Sequence, residues 1–62
     1  MDERIRRQIL LVRDSGLTNM FDLNGVQRVA FDEGFYDLVM FIEEHENAYI
    51  QFLLRGDVEA NS

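Results

Sequence analysis

The 62-residue chain carries twelve acids against six bases, for a net charge of −6, and it has no cysteine, proline or tryptophan. So short a chain is one small domain that buries only about 60 % of its unfolded surface, and without cysteine neither disulfides nor thiolate zinc sites can support it. The acidity disfavours nucleic-acid phosphates and anionic membranes, whose binding usually draws on clustered Lys and Arg.

Four glycines, at 16, 25, 34 and 56, punctuate the chain. Three of them follow segments of helical periodicity, where a left-handed C-terminal cap calls for a residue without a side chain. The pattern predicts an all-α fold of three helices, short, short and long, over about 2–15, 23–33 and 35–54. They form a single domain, 1–56, followed by a disordered tail, 57–62.

In the first helix Asp2 is the expected N-cap, and Ile5, Ile9 and Val12 form an i, i+4, i+7 stripe. Leu10 and Leu11 lie off that stripe and make the helix apolar over more than half its circumference, more than a solvated monomer needs. The linking stretch Leu17 to Asp22 reads as a tight connection with Met20 and Phe21 tucked beneath it. Asp22 then caps the second helix, accepting from the amide of Asn24 or Gly25, and Phe21 can meet Val26 as a hydrophobic staple. Asn24 and Gly25 would also suit a hairpin turn, but neither flank alternates with period two.

In the third segment Phe35, Leu38, Phe41, Ile42, His45, Tyr49, Phe52 and Leu53 project into one sector, widened by Val39 and Ile50. The stripe keeps its phase through Glu43 to Asn47, which favours one helix of about twenty residues over two; the alternative is a break near Asn47. One helix would be roughly 30 Å long at ~1.5 Å per residue, more than two short helices cover. Part of it should therefore meet another chain, and a helical homodimer is the expectation, with a melting temperature that rises with concentration. Leu10, Leu11, Phe31, Tyr36, Phe41, His45, Glu46, Tyr49 and Phe52 are the candidate interface residues.

Candidate chemistry is sparse. His45 stands among Glu43, Glu44 and Glu46, the one place where metal-ligand residue types crowd together, but helical neighbours point about 100° apart and no second histidine completes a zinc motif. A histidine bonded to a carboxylate or tyrosine, buried or at an interface, is the preferred reading. Glu46 projects near the middle of the apolar sector and would call for an arginine such as Arg7 or Arg13, unless it bends out to solvent. Phosphate loops, dinucleotide glycine patterns and nucleophile elbows are missing, so no enzyme, cofactor or metal is expected. The aromatics are not interleaved with basic residues, which points to packing rather than base stacking.

Charge is uneven. Met1 to Gly16 holds Arg4, Arg6, Arg7 and Arg13 against three acids, whereas Gly34 to Ser62 holds six acids against Arg55. A basic end facing an acidic half fits an assembly. No apolar run approaches the ~20 residues of a membrane span, and the N-terminus lacks a signal-peptide core. A cytoplasmic protein is expected.

The segments QIL with VRDSG (Gln8 to Gly16), TNMFD with VQ (Thr18 to Gln27), GFYDLVMFIEEH (Gly34 to His45), and Tyr49 with Phe52 carry a resemblance. Over Gln8 to Phe52 the chain resembles a family of small uncharacterised proteins encoded by phages and prophages of Gram-positive bacteria. The resemblance implies a phage accessory protein working in a bacterial host cell, and it transfers no catalytic residue. In that family basic residues are frequent after the histidine, where this chain has Glu46, Asn47 and Ala48.

Two functional classes follow. The first is a non-enzymatic interaction protein that binds and regulates or inhibits a host or phage protein, for example in antiviral defence; carboxylates such as Asp37, Glu43, Glu44 and Glu46 could mimic nucleic acid in a partner's basic groove. The alternative is a dimeric DNA-associated regulator using Arg4, Arg6, Arg7 and Arg28 on phosphates, which would show as salt-dependent duplex binding.

Overall fold

The computed structural model describes residues 2–56. The predicted tail, 57–62, lies outside the described residues. The described chain is all-helical: α1 (Glu3–Ser15), α2 (Leu23–Asp32), α3 (Tyr36–Glu44), α4 (Glu46–Gln51) and a closing π-helical turn, Phe52–Gly56. Both α1 and α2 pack on α3, and α4 follows from its end.

Local chemistry sets the first boundaries. The Asp2 carboxylate accepts the Arg4 amide at 2.8 Å, and Gly16 ends α1 in the left-handed region at φ 68°, its amide donating to the Arg13 carbonyl. Across the following turn the Asn19 side chain accepts the Phe21 amide at 2.8 Å, and Asp22 accepts the Gly25 amide at 3.1 Å to start α2. Met20 packs against the core beneath this turn, whereas Phe21 stands out in solvent while Val26 is fully buried. Of the two turn residues expected to tuck beneath, Met20 does so and Phe21 does not.

Between α2 and α3 the chain reverses on a Schellman motif. The Phe35 amide donates to the Ala30 carbonyl at 2.7 Å, the Gly34 amide donates to the Phe31 carbonyl at 3.0 Å, and Gly34 takes φ 81°. No side chain of the junction itself caps α3. Instead Gln8, on α1, accepts the Leu38 amide at 3.2 Å, and Arg4 reaches Asp37 in the first turn of α3 at 3.1 Å. Ile9, Val12, Val26, Ala30, Leu38, Ile42 and Tyr49 form the buried core. Gln27 ties α2 to α3 from the side, donating to the Val39 carbonyl at 3.1 Å and to Glu43 Oε2 at 3.0 Å.

The expected single helix over 35–54 is divided, and the count of three helices becomes four. The break falls at His45, whose φ of −136° and ψ of 52° leave helical space. Neither proline nor glycine lies there. Tertiary packing supplies the reason. The bend brings Tyr49 to full burial, with its hydroxyl donating to the Met20 carbonyl at 2.7 Å. A straight helix of ~30 Å would instead run the whole long dimension of the molecule, 31 Å. The break gives up three helical hydrogen bonds to water, at about 1 kcal/mol each, and burial of the Tyr49 ring, worth about 1.5–3 kcal/mol, offsets them together with Ile50, Phe52 and Leu53, which pack against the core beyond the bend. The same bend turns Glu46 out of the projected apolar sector and leaves it exposed, where a carboxylate needs no arginine partner.

Candidate protein-interaction surface

Phe31 closes α2 and Tyr36 opens α3, so the tight reversal at Gly34 brings two residues five apart in sequence into contact. Their ring centroids are 5.4 Å apart and their planes lie at 61°, an edge-to-face pair of the kind aromatic quadrupoles favour. Phe31 is 59 % and Tyr36 58 % exposed, and Met40, one turn beyond Tyr36 on the same face of α3, is 52 % exposed. Beside them runs an open groove of about 570 Å³ between α2 and α3, where Phe31 and half-buried Val39 are flanked by Arg28, Asn24, Gln27 and Glu43. The bonds from Gln27 to the Val39 carbonyl and to Glu43 fix both groove walls in register.

The mixture of exposed aromatics, methionine and arginine matches the composition of protein interfaces, whose energetic centres are enriched in tyrosine and arginine. The surface is rigid because it is carried by two helices whose junction is closed by backbone bonds.

The candidate interface residues fall into separate places. Phe31 and Tyr36 meet on this surface. Leu10 is half-buried and Leu11 is about half exposed, both on α1. Phe41 packs on the core and stands beside exposed His45, ring centroids 5.6 Å apart. Tyr49 belongs to the chain's own core and Phe52 packs half-buried against it. Burial pushes the Tyr49 phenol up to about 12.

Met40, Arg28 and Gln27 were absent from the sequence-derived interface. The spacing of Met40 from Tyr36, i to i+4 outside the apolar sector, was the signal that places it beside Tyr36.

The acids and histidine around the break do not converge. Among the described residues no group of three or more His, Asp or Glu is gathered to hold a metal ion. A cleft of about 460 Å³ is lined by Phe21, Asp22, Leu23, Asn24, Gln27, Ile42, Glu43 and Glu46, a polar and acidic wall without a nucleophile set against a base. Of the arginines offered for phosphate binding, Arg4 is engaged with Asp37 and Arg6 with Glu3. Among the described residues no helix is long and apolar enough to cross a membrane.

Comparison with family models places the chain. It belongs to the family described as Domain of unknown function (DUF5049), whose model matches residues 1–57. The match spans every element that builds the aromatic surface and the break at His45. No curated protein and no solved structure matches the chain.

Proposed function

We propose that this chain is a small non-enzymatic phage accessory protein, a homodimer of the bacterial cytoplasm, that binds and regulates or inhibits a host or phage protein, for example in antiviral defence. The observation that carries the reading is the exposed edge-to-face pair of Phe31 and Tyr36 with Met40 beside it. Large aromatic side chains held rigidly in water are expensive to keep there unless they are buried part of the time, and each is worth about 1.5–3 kcal/mol when covered. The phage context is supported by the resemblance of the TNMFD segment, part of the turn that receives the Tyr49 hydroxyl, and of the GFYDLVMFIEEH segment, which supplies Tyr36 and Met40 to the aromatic surface. The modest negative charge suits a protein partner better than a nucleic acid.

The test is capture from phage-infected, nuclease-treated bacterial lysate with tagged wild type and with a Phe31→Asp/Tyr36→Asp double variant. Wild type should retain one stoichiometric protein partner, and the double variant should lose it while keeping its helical circular dichroism and melting temperature. Equal capture by both proteins would move the site elsewhere. Recovery of nothing but the tagged chain would remove the accessory-protein reading.

A further inference from the structure

We infer that the break at His45 is the hinge of a helix exchange, in which α4 of one copy docks into a second copy of this chain and places its Tyr49 under the second copy's Met20 turn. This deepens the homodimer proposed above and rests on it.

The hinge is one residue wide, and helical bonds reach it from both sides. The His45 amide donates to the Phe41 carbonyl at 2.7 Å and the Tyr49 amide donates to the His45 carbonyl at 3.0 Å, the i to i−4 bonds of an uninterrupted helix. Among the described residues, the amides of Glu46, Asn47 and Ala48 have no such partner, and no side chain caps either side of the break. Straightening His45 would give those amides the carbonyls of Ile42, Glu43 and Glu44. No proline or glycine between Phe35 and Arg55 opposes this, and the apolar stripe of Phe35 to Leu53 holds one phase when the helix is continuous.

Straightening has one cost within a single chain. It withdraws Tyr49 from full burial, breaks its 2.7 Å bond to the Met20 carbonyl, and uncovers Ile50, Phe52 and Leu53. The Met20 carbonyl that accepts the Tyr49 hydroxyl is one that a second copy also possesses. A reciprocal exchange restores the buried ring and its bond and adds the helical bonds across the hinge in both chains. Exchange of an identical element between protomers is a low-cost route to a dimer, and short hinge segments invite it. The occupant is thus a second copy, because the place that Tyr49 fills within one chain, fully buried with its hydroxyl on the Met20 carbonyl, is one that the same residue of another copy matches.

The experiment compares wild type, Glu46→Pro and His45→Ala/Asn47→Ala by sedimentation equilibrium over a wide concentration range, before and after refolding at high concentration. Proline at 46 suits the first position of α4, whose amide is unbonded, but in a continuous helix it clashes with the preceding turn. Dimerisation should weaken at least about a hundred-fold, the effect of ~3 kcal/mol of helix disruption. The double alanine variant favours helix through the hinge and should dimerise about ten-fold more tightly. In mixed samples of labelled and unlabelled wild type, isotope-filtered NMR should show contacts between Tyr49 of one copy and Met20 of the other. That contact keeps the test decisive should Glu46→Pro fail to fold.

A wild-type dimer that Glu46→Pro forms equally well, or one lacking the intermolecular Tyr49 contact, would overturn the exchange and leave the homodimer standing. A wild type monomeric at every concentration, refolded or not, would remove both.

Discussion

The two ends of α3 are held by opposite means. At its start, a Schellman turn on Gly34 reverses the chain by backbone bonds within five residues, and the Gln8 side chain on the Leu38 amide and the Arg4–Asp37 pair add ties from α1. At its end, His45 leaves helical space without a glycine, a proline or a side-chain cap. What holds that second junction is remote: Tyr49, four residues on, is anchored beneath Met20, twenty-nine residues back. A turn made by local chemistry is written once and stays put, whereas a bend made by a distant anchor is only as firm as the anchor. That difference is why the exchange inferred above places its hinge at the second junction and not at the first.

Removing the anchor should have the largest effect. Tyr49→Ala deletes a fully buried ring, a change that costs about 3–5 kcal/mol, against a total stability of roughly 3–9 kcal/mol for a chain this size. Urea denaturation should find about a third or more of the stability gone. A loss below about 1 kcal/mol would mean that α4 contributes little to the core and that the second junction is held by something else.

Next comes a matched pair of substitutions, one at each junction. Gly34 sits at φ 81°, where a side chain costs about 1–2 kcal/mol, so Gly34→Ala should lower stability by that amount. His45 is exposed at φ −136°, which alanine adopts freely, and His45→Ala should change monomer stability by no more than about 0.5 kcal/mol. Thermal melts of the two variants at a concentration where the protein is monomeric check the contrast. Equal losses would show that the junctions do not differ in the way their geometry implies.

Gln8 extends the contrast to an interaction made across the fold. Gln8→Ala leaves the Leu38 amide without its side-chain acceptor and should cost about 0.5–1.5 kcal/mol in the same melts. A neutral substitution would leave α3 capped sufficiently by its own backbone.

The same division decides what could be read in advance. Asp2, Gly16, Asp22 and Gly34 act on amides and carbonyls within five residues, and each was legible because capping chemistry is local. The Gln8 cap, thirty residues from its amide, and the Gln27 bridge to Glu43 carry no signature in the sequence, since an isolated glutamine looks like any solvated surface residue. The break at His45 was hidden for the opposite reason. The local pattern argues for continuity, and only burial of Tyr49 against a remote turn overrides it. On the candidate surface, Phe31 and Tyr36 were recognisable because they fall outside the apolar sectors. Tyr49 and Phe52 fall inside one, and a chain read as a straight helix leaves them uncovered; the bend returns them to the chain's own core.

The smallest expected effect probes the anchor's single polar bond. Tyr49→Phe keeps the ring and removes the hydroxyl that donates to the Met20 carbonyl, so at neutral pH it should cost only about 1 kcal/mol. Its value lies at alkaline pH. Burial pushes the Tyr49 phenol up to about 12 from the ordinary 10, because the phenolate would lose its water. Below about pH 10 the folded and unfolded chains both keep this proton, and the group gives stability no pH dependence. Between about 10 and 12 the unfolded chain releases the proton while the folded chain retains it, so stability falls as pH rises through that window. Urea midpoints measured from pH 8 to 11.5 should decline above 10 in wild type and decline less in Tyr49→Phe, which lacks the buried phenol. Parallel profiles would mean that the hydroxyl is already in contact with water, and that the anchor on which the second junction depends is looser than its 2.7 Å bond indicates.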